Sequence, residues 1–432
     1  MINPVRSRLP VRGSQTGRTR QSQSNSVKSS TKKIMDDSIP QAEATKSVSA
    51  SNGIKVIVIG MDRKVFEEGS SVRKRLFSQR ELFAELHVIV FARQSHELCA
   101  EQHGNLWLYP TNSLSRWLYV RDAVALARGL ARQRGMTNAD SVITAQDPFE
   151  CALAGYLTSK RTTLPLHVQI HTDYVTPYFS QLSWLNRARV FIADYIIPRA
   201  TGIRVVSERV AGSVRARIKK NVPIMLLPVF SEHARKWAAK PLRRFKKEET
   251  DSCLVLMPSR FAPEKDFPTA IDAFDKARRL GSFIGLIIVG EGSEKEKIQS
   301  DIRARGLSRI IKMELWIQDL SSLYRVSDIV LSTSRFEGYG LVLLEAAIHG
   351  QPVVTTDVGI ARELVLPPFE RFICPVGDSV YIAARLKELS SDAKLRRAYG
   401  SALRTQAKKL IIPEAEYWKR YQADLERCTV HP

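Results

Sequence analysis

At 432 residues the chain is long enough for two domains with extensions, and 44% hydrophobic with 25% charged residues is an ordinary globular composition. No stretch reaches 18 uninterrupted apolar residues; the nearest, Val190 to Val206, is broken by Asp194, Pro198, Arg199 and Arg204, which argues against a membrane span. Five scattered cysteines (Cys99, Cys151, Cys253, Cys374, Cys428) with no C-x-x-C pair argue against a disulfide framework or structural zinc and fit a reducing cytoplasm.

The net charge of +22 is unevenly placed. Residues 1–34 hold eight basic side chains and no acidic one, and seven cations without an acid run from Arg235 to Lys247. Such density points to an anionic partner: lipid surface, nucleic acid or phosphorylated substrate. Residues 1–52 are rich in Ser, Thr, Gln and Arg, too poor in apolar periodicity to offset the entropy of ordering, and read as a disordered basic tail. They faintly resemble an organellar transit peptide but lack an amphipathic helix, so a plain tail, or a start placed too early with Met35 nearby, is the favoured reading.

From Ile54 short β-branched runs alternate with helical stretches: IKVIVIG, HVIVFA, SVITA, LHVQI, GIRVVS and IMLLP, then after the basic block CLVLM, GLIIVG, RIIKMEL, DIVLST, PVVTT and RFICP. Runs that are apolar throughout suit sheets covered on both faces, and the intervening helices make them parallel. The expected architecture is α/β, two doubly wound Rossmann-like domains: 53–232, a basic linker 233–250, 251–412, and a last helix in 413–432. Ligands of such sheets bind beyond the carboxyl ends of the strands, so the chemistry is sought in the strand-to-helix loops.

Two loops stand out. In DIVLSTSRFEGYGLVLLEAAIHGQPVVTTD a strand ends near Thr333, Phe336 to Gly340 form a loop, and a helix begins near Leu341. Gly338 and Gly340 let the backbone approach a ligand, and the helix start offers N–H groups to an anion. Glu345, in an apolar helix, needs hydrogen-bond donors such as ligand hydroxyls, while Glu337 sits in the loop. The alternatives are a solvated loop acid and a structural, ion-paired one. In CLVLMPSRFAPEKDFPTAIDAF, Pro268 marks a helix start, so Arg260 and Lys265 precede a helix N-terminus that disfavours cations, a conflict an anion would relieve. A diphosphate fits; two solvated cations are the plain alternative.

Taken together, P-S-R-F-x-P-E-K-D before a helix, then F-E-G-Y-G-L-x-L-L-E-A and G-x-P-V-V-T-T-D, resemble the retaining glycosyltransferases of family 4, a GT-B-fold family, from Cys253 to Pro375. The resemblance implies that Arg260 and Lys265 hold the diphosphate of a UDP- or GDP-linked sugar donor, which is a substrate, so no cofactor is expected. It implies that Glu337 contacts the sugar, Glu345 the ribose hydroxyls, and that the backbone of Gly338, Tyr339, Gly340 and Leu341, with Phe336 before them, closes over sugar and phosphate. Gly290 and Gly292 fall at a loop near the nucleotide. In the amino-terminal half the family's glycine pair is reduced to Gly69 in EEGSSVRKR, and His171 of HTDY stands where the family often has a histidine near the sugar; a strand-end histidine packed for structure is the alternative.

No D-x-D pair holds a metal, and no Gly-x-Ser-x-Gly, Walker-type or H-E-x-x-H motif is present. The expectation is therefore a metal-independent, retaining glycosyltransferase, cytoplasmic, acting on a polysaccharide or lipid-linked glycan acceptor. The linker cations and the stretch around Trp184 to Ile197 would touch anionic lipid at the inner face of the cell membrane. The competing readings are a nucleotide-sugar epimerase of the same fold and a non-enzymatic nucleic-acid-binding protein; no recognisable nucleic-acid module supports the second, so no nucleic-acid partner is expected.

Overall fold

Burial on both faces turns the β-branched runs into parallel strands. The computed structural model describes residues 53–218, 221–239, 253–282, 284–317 and 319–429. The tail and the cations from Lys240 to Lys247 lie outside the described residues. Among those described, one sheet holds β1 (Lys55–Gly60), β2 (Glu85–Val90), β3 (Glu101–His103), β4 (Leu106–Pro110), β5 (Ser141–Ala145), β6 (Leu166–Ile170), β7 (Gly202–Val205) and β8 (Ile224–Leu226). Their order is β3-β4-β2-β1-β5-β6-β7-β8, parallel except for the β3 and β4 pair. The second sheet holds β9 (Cys253–Pro258), β10 (Ile284–Val289), β11 (Ile311–Glu314), β12 (Ile329–Ser332), β13 (Val353–Thr356) and β14 (Ile373–Cys374), all parallel, in the order β11-β10-β9-β12-β13-β14. Both are doubly wound, with the strand order reversing beside β1 and beside β9.

Helix starts follow local chemistry. Ser183 and Ser207 accept from the backbone N–H of Asn186 (3.1 Å) and Val210 (3.3 Å), and Asp378 from that of Tyr381 (2.9 Å); each such cap contributes about 1 kcal/mol. Pro268, in the first turn of the helix Phe267–Arg279, gives up no intrahelical bond there.

One stretch differs from the sequence reading. The start of the expected linker is a helix, Glu232–Ala239, whose Ala234 and Trp237 share one apolar face. Trp237 packs edge-on against His349 (4.8 Å) and Tyr324 (6.3 Å) of the second domain, and Arg235, expected at a lipid surface, pairs with Glu414 at 3.1 Å. A run of cations masked an amphipathic period. The last helix, Glu414–Glu426, lies within the expected 413–432 and covers the first sheet, its Tyr417, Tyr421 and Leu425 buried against Val56, Val58 and Val88. No helix among the described residues is long and apolar enough to cross a membrane.

Candidate active site

The loops after β9 and β12 flank the switch point of the second sheet and are tied together. Thr333 Oγ1 donates to the carbonyls of Lys265 (2.9 Å) and Asp266 (3.1 Å), the Arg335 N–H to Glu264 O (2.8 Å), and the Arg335 guanidinium to Asp266 (3.1 Å). Asp266 itself adopts a left-handed backbone (φ 50°), which turns the chain sharply into the next helix. Lys265 is thereby fixed where its ammonium meets the Glu337 carboxylate in a direct ion pair, with side chains 12% and 21% exposed. Glu337 also accepts from Ser334 Oγ at 2.8 Å.

These residues line a cavity of about 310 Å³ together with Arg260, Gly338, Tyr339, Gly340 and Leu341. Gly340, at φ 84°, is the turn from which the helix Leu341–Ile348 starts without a side-chain cap, so its first N–H groups are unclaimed by any cap. Arg260 contrasts with Lys265: its side chain is 77% exposed and, among the described residues, pairs only with Glu264, four residues on, at 3.1 Å. It is an exposed arm at the rim, less fixed than Lys265.

The opposite wall comes from the first domain. His171, just past β6, lines this cavity, and the two backbones nearly touch: a Cβ on Gly338 would lie 1.8 Å from His171 O. Ser207 Oγ donates to Gly338 O at 2.7 Å, and Phe336, 8% exposed, sets its ring against Phe179 at 5.5 Å, inside the first domain's core. Arg209 bridges Asp173 (3.3 Å) of the first domain and Asp357 (3.0 Å) of the second.

The His171 ring is open to the cleft but backed by protein, and desolvation, with the nearby Arg204 and Arg75 charges, lowers its pKa to about 3. It is neutral at pH 7. Its Nε2–H donates to Gln169 Oε1 at 3.3 Å; that oxygen is identified because Arg204 also donates to it, at 2.8 Å, so Nδ1 keeps its lone pair.

Other expected residues are placed elsewhere. Gly290 and Gly292 stand behind the Arg260 loop: a Cβ on Gly290 would lie 1.9 Å from Ser259 O, and one on Gly292 2.4 Å from Phe261 O. Neither lines the cavity, nor does Gly69, which precedes the Ser70 cap of the helix Ser71–Gln79 with open space around it. Glu345 lies one turn past the lining residues, its Oε2 accepting from Tyr324 OH at 3.0 Å, and burial raises its pKa to about 7. Its folded state thus binds a proton that the unfolded chain releases, so stability is full below about pH 4.5 and lost as pH rises toward 7. Glu345→Gln should remove that slope, on the order of 3 kcal/mol, in urea titrations at pH 5 and pH 8. Equal pH slopes in the two proteins would refute it.

Sequence reasoning passed over Trp316, 45% exposed on the cavity wall after β11, and the two serines, Ser259 and Ser334. An exposed aromatic directly past a strand end was the available signal for the first; nothing distinguished the serines from other loop hydroxyls.

Residues 239–406 match the family described as Glycosyl transferases group 1. N-acetyl-alpha-D-glucosaminyl L-malate synthase of Bacillus anthracis is 24% identical over 299 residues, 68% of this chain and 76% of that protein. Sucrose-phosphate synthase from Thermosynechococcus elongatus superimposes with a TM-score of 0.66 at 17% identity, covering 85% of this chain and 98% of that one. Anabaena HepE in complex with UDP-glucose gives 0.60 at 18% identity, over 86% and 99%. Residues 239–406 thus carry the likeness to the glycosyl transferases group 1, and the chain as a whole has the two-domain GT-B fold of these solved structures.

Proposed function

We propose that the protein transfers a sugar from a nucleoside-diphosphate sugar, UDP-linked by analogy with HepE, to an acceptor hydroxyl, with retention of anomeric configuration. The observation that carries this is the single cavity in which Lys265, the uncapped start of the helix Leu341–Ile348, Glu337 and His171 converge from two domains. Lys265 and the helix N–H groups suit a diphosphate, whose charge grows as the glycosidic bond breaks. The Lys265 ammonium pairs with Glu337; a phosphate contact to Lys265 would compete with that pair and free Glu337 for sugar hydroxyls. Trp316 offers a flat face to the base. The neutral His171 can hydrogen-bond a sugar hydroxyl without adding charge.

Retention would follow from front-face displacement: the departing phosphate oxygen accepts the acceptor's proton, the acceptor oxygen bonds to the anomeric carbon, and the nucleoside diphosphate leaves. Charge stabilisation by Lys265, Arg260 and the helix start requires no metal. The acceptor remains proposed as a glycan or lipid-linked glycan.

Incubation with UDP-glucose or GDP-mannose without acceptor tests the reading. Slow release of the nucleoside diphosphate should accompany free sugar that first appears, by proton NMR, as the α anomer. Appearance of the β anomer first would refute retention, and an epimerised nucleotide sugar with no diphosphate released would replace transfer by epimerisation. If Glu345 takes ribose hydroxyls, Glu345→Gln should raise the donor KM and leave kcat nearly unchanged, since that part of the donor does not change in the reaction.

A further inference from the structure

A second cavity, of about 260 Å³, opens in the first domain and shares His171 and Val229 with the donor cavity. Its lining is apolar at Val58, Val65, Val72, Leu76, Val88 and Val90, and Arg204 and Arg75 are set into it. Arg204 is 5% exposed on β7 and donates to Leu227 O (3.2 Å), Gln169 Oε1 (2.8 Å), Pro228 O (2.9 Å) and Tyr417 OH (2.7 Å). All four acceptors are neutral, and among the described residues no carboxylate pairs with it. Four of its five N–H groups are used, and one remains. A buried cation without a counter-charge is costly unless an anion supplies one.

Arg75, half-buried, is the second cation of the lining. It projects from the helix Ser71–Gln79, where Arg73 pairs with Glu101 at 2.8 Å, yet Arg75 has no ion-pair or hydrogen-bond partner among the described residues. The one acid on the lining, Asp62, is exposed and spends an oxygen capping a short turn through the Lys64 N–H at 3.1 Å. Both guanidiniums line the same cavity as His171, the residue that it shares with the donor cavity.

We infer that this cavity binds the anionic group, phosphate or carboxylate, of a small acceptor, with Arg75 and Arg204 as its counter-charges and the valine wall against its apolar part. That the bound anion belongs to the acceptor rests on the proposed glycosyl transfer; that an anion binds here does not. The acceptor's hydroxyl would then face the donor across His171, while its charge sets which acceptors are taken.

Calorimetric titration of the full chain with glycerol 3-phosphate, succinate and glycerol, alone and with saturating UDP, tests it. At least one of the two anions should bind tenfold or more tighter than glycerol, and UDP should not displace it. Arg75→Gln should lose about tenfold of that affinity, as for one charge-assisted contact, and Arg75→Lys should recover part of it. Adding dihexanoyl phosphatidic acid separates the sources: tighter binding than glycerol 3-phosphate assigns a lipid-borne anion, weaker binding a free ester. Neither anion binding at 20 mM, displacement by UDP, or an unchanged Arg75→Gln variant would overturn the inference. UDP titration of the same samples reports on the donor reading: UDP binding without anion binding defeats only this site, and anion binding without UDP binding defeats only the donor assignment.

Discussion

Lys265→Ala should lower kcat for sugar transfer or donor hydrolysis by ~100-fold or more, whereas Arg260→Ala should cost about tenfold or less. The sequence gives the two cations equal standing ahead of the helix; the structure ranks them. Lys265 is 12% exposed, its backbone carbonyl is fixed by Thr333 at 2.9 Å, and its loop is tied to the neighbouring loop through Arg335. A charge positioned before the donor arrives needs no reorganisation as the diphosphate leaves, and in a partly desolvated cavity its effect is large. Arg260, 77% exposed, must be ordered from solvent, and screening weakens it. Removing Lys265 also leaves Glu337 with only Ser334, so unfolding of each variant is followed in urea to separate lost folding from lost turnover. Steady-state rates with saturating UDP-sugar decide it. Wild-type turnover in Lys265→Ala, or a larger loss in Arg260→Ala, would reverse the ranking.

Much of the fold was legible because parallel sheets leave a local signature. Runs such as IKVIVIG and CLVLM are apolar on both faces, and β1 and β9 form there as central strands. LWLYP carried the same signature and was passed over, though it forms β4. The loop after β12 was legible for a similar reason: a strand end, glycines and a helix start follow one another within a dozen residues, so the loop that holds Glu337 and Gly338 could be placed from local order alone. What local order cannot carry is pairing between distant segments. That Lys265 meets Glu337 depends on β9 and β12 being neighbours, and that Tyr417 meets Arg204 depends on the last helix returning to the first domain. The first-domain cavity is therefore invisible in sequence, since its lining comes from eight separate stretches. Glu345 shows the opposite limit: its burial was readable from the apolar helix, but its donor, Tyr324, lies on another element.

Gly338→Ala should reduce kcat/KM by ~100-fold while leaving UDP affinity within about threefold. The added Cβ would sit 1.8 Å from His171 O and 2.5 Å from its carbonyl carbon, and both are backbone of the other domain. No rotamer change relieves a clash with backbone. A tolerable carbon-to-oxygen contact needs roughly 3.3 Å, so the two walls must part by roughly 1.5 Å. That displacement falls where the proposed transfer would bring donor and acceptor together, and misplacement on this scale costs about 10²-fold in rate. The proposed diphosphate contacts, Lys265, Arg260 and the start of the helix Leu341–Ile348, lie wholly within the second domain, so UDP should still bind. Ser207→Ala provides the scale for comparison: it deletes one hydrogen bond across the same boundary, to Gly338 O at 2.7 Å, and should cost about 1 kcal/mol, or roughly fivefold. If the loop from Ser334 to Gly340 gave way in place of the domains, UDP affinity would fall together with turnover, and the titration would show it. An alanine variant that turned over at the wild-type rate would mean that the close approach of Gly338 to His171 has no part in bringing the two substrates together.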